Sequence, residues 1–230
     1  MNRTTTHGFK AFELLKGIGI EIGALSCPFD LEARVIYADI TDANTMAEQL
    51  SRNEGKGYLS NPLVEVGLII EPPFFNFKGL EPDSHDFCVS SNVVEHHPNP
   101  IYFLLEQFRV IKKGGILYAA IPNKERTYDR GRLTTPINHL EKKFIDFDFS
   151  DDYIFALDIV KNTLGHKDYE GKGDEMATHL ANNRDGHHHF YTYNPESVFE
   201  LIACLSKYQK FRFEYYNLDG MNIHFALRKA

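Results

Sequence analysis

Residues 17–39, GIGIEIGALSCPFDLEARVIYAD, decide the fold. Upstream of them Phe9, Phe12 and Leu15 keep the spacing of a short amphipathic helix, and at GIGIEIG the pattern changes to the apolar run of a buried strand. A loop from Ala24 to Asp30 leads to ARVIYAD, whose β-branched and aromatic residues predict a second strand ending on Asp39. A helix follows from Asp42 to about Arg52. Asp42 is placed to cap it, and Ala43, Met46, Ala47 and Leu50 give it one apolar face.

The alternation of strand and helix continues outward. VEVGLII, at 64–70, predicts a third strand, halted by the Pro72-Pro73 pair. DFCVSS, from Asp86, predicts a fourth. Asn99 and Pro100 then open a helix in which Ile101, Leu104, Leu105, Phe108 and Ile111 recur until Gly114-Gly115 stops them. ILYAAIP, at 116–122, predicts a fifth strand. Far downstream, Asn194-Pro195 opens another helix, and KFRFEYYNL and MNIHFALRK flank Asp219-Gly220 as a hairpin. The expected fold class is α/β: a doubly wound, mainly parallel, seven-stranded sheet with a C-terminal antiparallel hairpin. Ligands bind such sheets at the carboxyl ends of the strands, where the winding reverses.

With 230 residues, 43% of them hydrophobic, the chain has apolar material for one domain, 1–230, and two would be cramped. Between about 123 and 190 the alternation lapses into a polar, His- and Gly-containing insertion with helical stretches at 136–146 and 151–162, the expected helical lid over an acceptor. The formal charge of −7 and a pI near 5.9 disfavour nucleic acid and anionic membranes as partners and favour a small-molecule substrate. With no apolar run near the ~20 residues a bilayer crossing needs, a cytoplasmic location is expected. The composition leaves the oligomeric state open. Cys27, Cys88 and Cys204 lack the pairing or C-x-x-C spacing of a disulfide framework or a thiolate zinc site.

GIEIGALSCP, VIYAD, DFCVSSNVVEH and FRVIKKGGILYAAIPN together resemble the class I S-adenosylmethionine-dependent methyltransferases, specifically the type 11 group. TYDRGRLTTPINHLEKK is similar to an extension of bacterial members associated with sugar or glycan modification. The resemblance implies a Rossmann-like methyltransferase fold and S-adenosylmethionine as cofactor. It assigns the turn at Gly23 and Ala24 to the methionyl part of the cofactor, with Glu21 fixing that turn and facing the ligand's ammonium group. Asp39 would accept the ribose hydroxyls and Glu71 would meet the adenine edge. Ser91 and Asn92 would line the pocket near the sulfonium. The glycine set is reduced, with Ala24-Leu25-Ser26 where many members carry further glycines.

Several residues admit two readings. Asp39 suits a ribose acid, as it would beside a nicotinamide cofactor, and also an ordinary turn aspartate. Gly17, Gly19 and Gly23 lack the G-x-G-x-x-G spacing of a dinucleotide site. Glu95-His96 suits either a proton acceptor beside the transferred methyl group or the start of the next helix. Arg130 and Arg132 have the guanidinium forks to grip an anionic acceptor, the alternative being a solvated loop. His187 and His189, one residue apart, share a face if extended and are expected at the acceptor. With no His-x-x-x-His pair and no supporting thiolate, no metal is expected. The expected function is methyl transfer to a small polar acceptor, with His96 and His139 as candidates for proton removal. A non-catalytic binding or regulatory module on the same fold is the second reading.

Overall fold

The computed structural model describes residues 13–52, 61–70, 76–163, 173–183 and 188–230. Seven strands form one sheet: β1 (Ile18–Ile22), β2 (Arg34–Asp39), β3 (Leu68–Ile69), β4 (His85–Ser91), β5 (Ile111–Pro122), β6 (Phe211–Asp219) and β7 (Asn222–Lys229). Their order is β3-β2-β1-β4-β5-β7-β6, parallel from β3 to β5, with β7 antiparallel to both β5 and β6. This is the expected doubly wound sheet with a terminal hairpin. The winding reverses between β1 and β4.

Two-residue periodicity divides the sheet's side chains between its faces. From β4 and β5, Cys88, Leu117 and Ala119 join one core with helices α2 (Pro100–Val110) and α6 (Pro195–Leu205). The alternate residues Phe87, Val89, Ile116 and Tyr118 join a second core with Leu15 and Phe29. At the α2 N-terminus the Asn99 side chain accepts the Tyr102 amide at 3.1 Å, and Pro100 takes the first turn, where no amide is needed. Asn194 and Ser197 form a reciprocal capping box on α6. α1 (Ala43–Arg52) begins on Asp42, whose carboxylate accepts the Asn44 and Thr45 amides.

The structure departs from the sequence expectations at three places. β3 keeps two of the seven expected residues, because Val64 turns its amide to the Leu25 carbonyl and only the following residues reach β2. α2 ends at Val110 instead of continuing through Ile111, which pairs with His85 as the first residue of β5. The insertion holds α3 (Ile137–Asp146) and α4 (Asp152–Asn162), and also an unexpected α5 (Gly173–Asn183) packed on α4. The apolar spacing Met176, Ala177, Leu180, Ala181 carried the signal for it. Most of the expected N-terminal helix lies outside the described residues. Among the described residues no helix is long and apolar enough to cross a membrane.

Gly19 pairs with Phe87 across the β1–β4 ladder, and a Cβ added at Gly19 would overlap the Phe87 ring. Gly19→Ala therefore overpacks the sheet and should cost about 1–3 kcal/mol in urea unfolding. Gly114, with a left-handed φ of 81° and open space around it, should show only the backbone cost of alanine, about 1–2 kcal/mol.

Candidate active site

Parallel register brings three strand ends level. Ile22 pairs with Ala38 on one side and Ser90 on the other, so Gly23, Asp39 and Ser91 leave the sheet together at its carboxyl edge. Gly23 has φ 68°, its amide donates to the Ala38 carbonyl, and an added Cβ would lie 2.7 Å from Val93. A side chain is excluded there twice, by conformation and by space. Leu25 adopts a left-handed φ of 50°, so the reduced glycine set is accommodated by a strained leucine. Asn92, exposed at the end of β4, has φ 57°, which asparagine tolerates.

Glu21 is buried, and both its carboxylate oxygens accept the Phe29 amide, at 3.1 and 3.2 Å. It thus closes the loop that Gly23 opens. Ala24 is buried, its carbonyl accepting from Cys27. Asp39 lies beside a small cleft walled by Leu25, Ala43, Met46, Leu63 and Val64. Burial raises its pKa, against the opposing pull of the Ile40 amide. A carboxylate at this edge can take a pair of hydroxyls.

Beyond β4 the chain makes one helical turn, Val94–His96, and the returning end of the insertion is stitched to it. The Glu95 carbonyl accepts the amides of both Phe190 and Tyr191. Arg132, almost fully buried, donates to Asp129, to Asp158 and to the carbonyls of His189 and Phe190. His189 Nδ1 lies 2.6 Å from Asp129 Oδ2, and His96 Nδ1 lies 2.8 Å from the His188 carbonyl. Burial alone would raise the Asp129 pKa, but the hydrogen bonds and charges of His189 and Arg132 outweigh it and the pKa falls. The Nε2 atoms of His96 and His189 stand 3.7 and 3.8 Å from Glu95 Oε1.

The structure thus joins His96 and His189 through Glu95, with Asp129 behind His189, a connection that only the folded chain reveals. His139 lies elsewhere, on α3, with Asp151 at 3.3 Å and the Phe155 ring at 4.5 Å; burial lowers its pKa. Arg132 is corrected from an acceptor-gripping residue to a structural one, since its donors are committed inside the fold. Arg130 remains exposed, and the half-exposed ring of Tyr128 lies 4.7 Å from that of His189. Glu71 and His187 lie outside the described residues.

Residues 16–119 match a family model described as a methyltransferase domain. No curated protein matches the sequence. Among solved structures, the chain is similar to a putative S-adenosylmethionine-dependent methyltransferase of Methanococcus maripaludis, at 16% identity over 96% of this chain and 81% of that one, with a TM-score of 0.47. It is also similar to a possible histamine N-methyltransferase of Thermotoga maritima, at 15% identity over 92% and 82% of the two chains, with a TM-score of 0.46.

Arg132→Met leaves Asp129 buried without its cation and should cost about 3–5 kcal/mol, whereas Arg130→Met, at the surface, should stay within about 0.5 kcal/mol. Because Asp129 is held below its ordinary pKa, its contribution is complete above about pH 4, the unfolded value, and is lost as the pH falls toward the folded one. Urea unfolding of both variants from pH 7 to pH 3 measures the difference.

Proposed function

We propose that this chain, whose residues 16–119 match a methyltransferase domain, is an S-adenosylmethionine-dependent methyltransferase and that its methyl acceptor is a small polar molecule bearing a hydroxyl group. A sugar or glycan precursor fits best. The observation that carries this reading is the placing of Glu95 and His96 just after β4, with His189 from the end of the insertion brought against them, beside the edge where Gly23, Asp39 and Ser91 emerge.

The strand ends suit the cofactor. Asp39 accepts the ribose hydroxyls, and the family resemblance assigns the adenine edge to Glu71. The backbone at Gly23 and Ala24 approaches the methionyl group, while Glu21 holds that loop closed through Phe29. Ser91 and Asn92 line the approach to the reacting centre. Bound S-adenosylmethionine supplies a methyl group on a sulfonium that is already a good leaving group. The protein's work is alignment, exclusion of water and removal of the acceptor's proton. His96 takes that proton at Nε2 as the acceptor oxygen forms its bond to the methyl carbon. Its Nδ1, fixed on the His188 carbonyl, keeps the lone pair on Nε2. The exposed Tyr128 ring and Arg130 offer a sugar a flat apolar wall and an anion contact. The insertion at about 123–190 acts as the lid that brings them over the site.

S-adenosylhomocysteine should raise the melting temperature of the protein, and Asp39→Ala should abolish that rise. No rise at millimolar ligand would overturn the cofactor assignment. His96→Ala should lower kcat about 100-fold with sugar acceptors while leaving the affinity for S-adenosylhomocysteine unchanged. Since burial raises the Asp39 pKa and hydroxyl pairing needs the ionised form, affinity should be full near neutrality and fall as the solution is acidified through that raised value. Asp39→Asn should remove this dependence, as read by calorimetric titration across the acid range.

A further inference from the structure

We propose that Glu95, His96 and His189 form a site for one divalent transition-metal ion, with coordination positions left over for an oxygen of the acceptor. Its place beside the acceptor rests on the methyl-transfer reading; the binding of the ion does not.

The partners of the two imidazoles fix their tautomers. His96 Nδ1 faces a backbone carbonyl, which can only accept, so that nitrogen carries the hydrogen. His189 Nδ1 lies 2.6 Å from the Asp129 carboxylate, which also accepts from Arg132, so the hydrogen is there too. With the hydrogen on Nδ1, Nε2 is the nitrogen left to bind an ion, and the two Nε2 atoms stand 3.7 and 3.8 Å from Glu95 Oε1. The three ligand atoms lie within 4.8 Å of one another, and the two rings stand nearly perpendicular at 5.1 Å. Two imidazole nitrogens and a carboxylate oxygen gathered at one point are a donor set that a divalent cation can take up. Metal–ligand bonds of about 2.0–2.2 Å draw cis ligands to roughly 3–3.5 Å apart, so small side-chain movements bring them onto one ion.

The outer partners follow the pattern that orients metal-bound histidines: a carboxylate behind one ring and a backbone carbonyl behind the other, each holding the ring at Nδ1. Arg132 holds Asp129 in turn, and the amides of Phe190 and Tyr191 fasten Glu95 through its carbonyl. Two imidazoles and one carboxylate favour zinc, manganese or iron over magnesium and calcium, which prefer oxygen ligands throughout. Glu95 is buried, while the His96 side chain is 22% exposed, giving an ion and an acceptor a way in. With an ion bound, its charge takes over from His96 the task of making the acceptor hydroxyl acidic, and the proton leaves to solvent. Because Glu95 follows β4 and His189 ends the insertion, the ion also fastens the lid to the sheet.

The test is calorimetric titration of the chelator-treated full-length protein with zinc and, separately, with manganese, the latter also followed by the electron paramagnetic resonance signal of the free ion. One ion should bind per chain. His96→Gln and His189→Gln should each weaken binding by at least about 100-fold, since loss of an outer partner alone costs 10–100-fold. His179→Gln, an exposed control, should bind as the parent does. Circular dichroism confirms that each variant is folded. Absence of binding by the parent, or undiminished binding by both folded variants, overturns the proposal; so does equal binding of magnesium that survives both substitutions. The melting-temperature rise with S-adenosylhomocysteine is measured on the same samples. Metal binding without it defeats the methyl-transfer reading and leaves the ion site standing, and the reverse result defeats only the ion site.

Discussion

The Phe87 ring lies over the bare backbone of Gly19, and this contact governs how β1 sits against β4. Because the two strands are parallel, register set at one pair holds for every later pair, and Ile22 is carried level with Ser90. The same strand is keyed to β2 on its other side, where Ile22 meets Ala38. The loops at Gly23, Asp39 and Ser91 therefore begin in one plane. A slip of one residue would turn Glu21 away from Phe29 and open the loop that the carboxylate closes.

The second organising element is ionic. Arg132, Asp129, His189, Glu95 and His96 form a continuous chain of charged and polar contacts running from the insertion to the end of β4. Removing such groups from water is costly, and each is compensated by more than one partner. An apolar core could hold the insertion as firmly, but it would not present two imidazole nitrogens and a carboxylate oxygen to the same point. The network thus fixes position and chemistry together. Lys143, set between Asp151 and Asp152 under the rings of Phe149 and Phe155, anchors the far side of the insertion in a similar way.

Most of the fold was legible because local rules carried it. Asn99-Pro100 and Asn194-Pro195 open helices where their chemistry says they should, and the Asp219-Gly220 signal marks the terminal hairpin. The failures share a cause. Val64 reads as a strand residue, yet its amide is taken by Leu25, a partner far away in sequence. Ile111 continues a helical apolar stripe, but His85 claims it for the sheet. The same holds for the candidate site. Asp39 and Gly23 stand at strand ends and can be found by pattern, whereas Glu95 and His189 are separated by an entire helix, a strand and the insertion. Arg132 looked like a surface guanidinium because its partners, Asp158 and the carbonyls of His189 and Phe190, carry no sequence signature.

The antiparallel placing of β7 between β5 and β6 bears on how the protein is made. β5 is apolar along Ile116 to Ile121, and one of its hydrogen-bonding edges is satisfied only by β7, which lies beyond the insertion and α6 in the chain. During synthesis that edge emerges from the ribosome long before its partner exists. An unpaired apolar strand of this kind is a template for association with other chains. Nascent chains of this protein should consequently depend on a holding chaperone until the hairpin is translated, and truncation ahead of β7 should yield an aggregating product instead of a smaller domain.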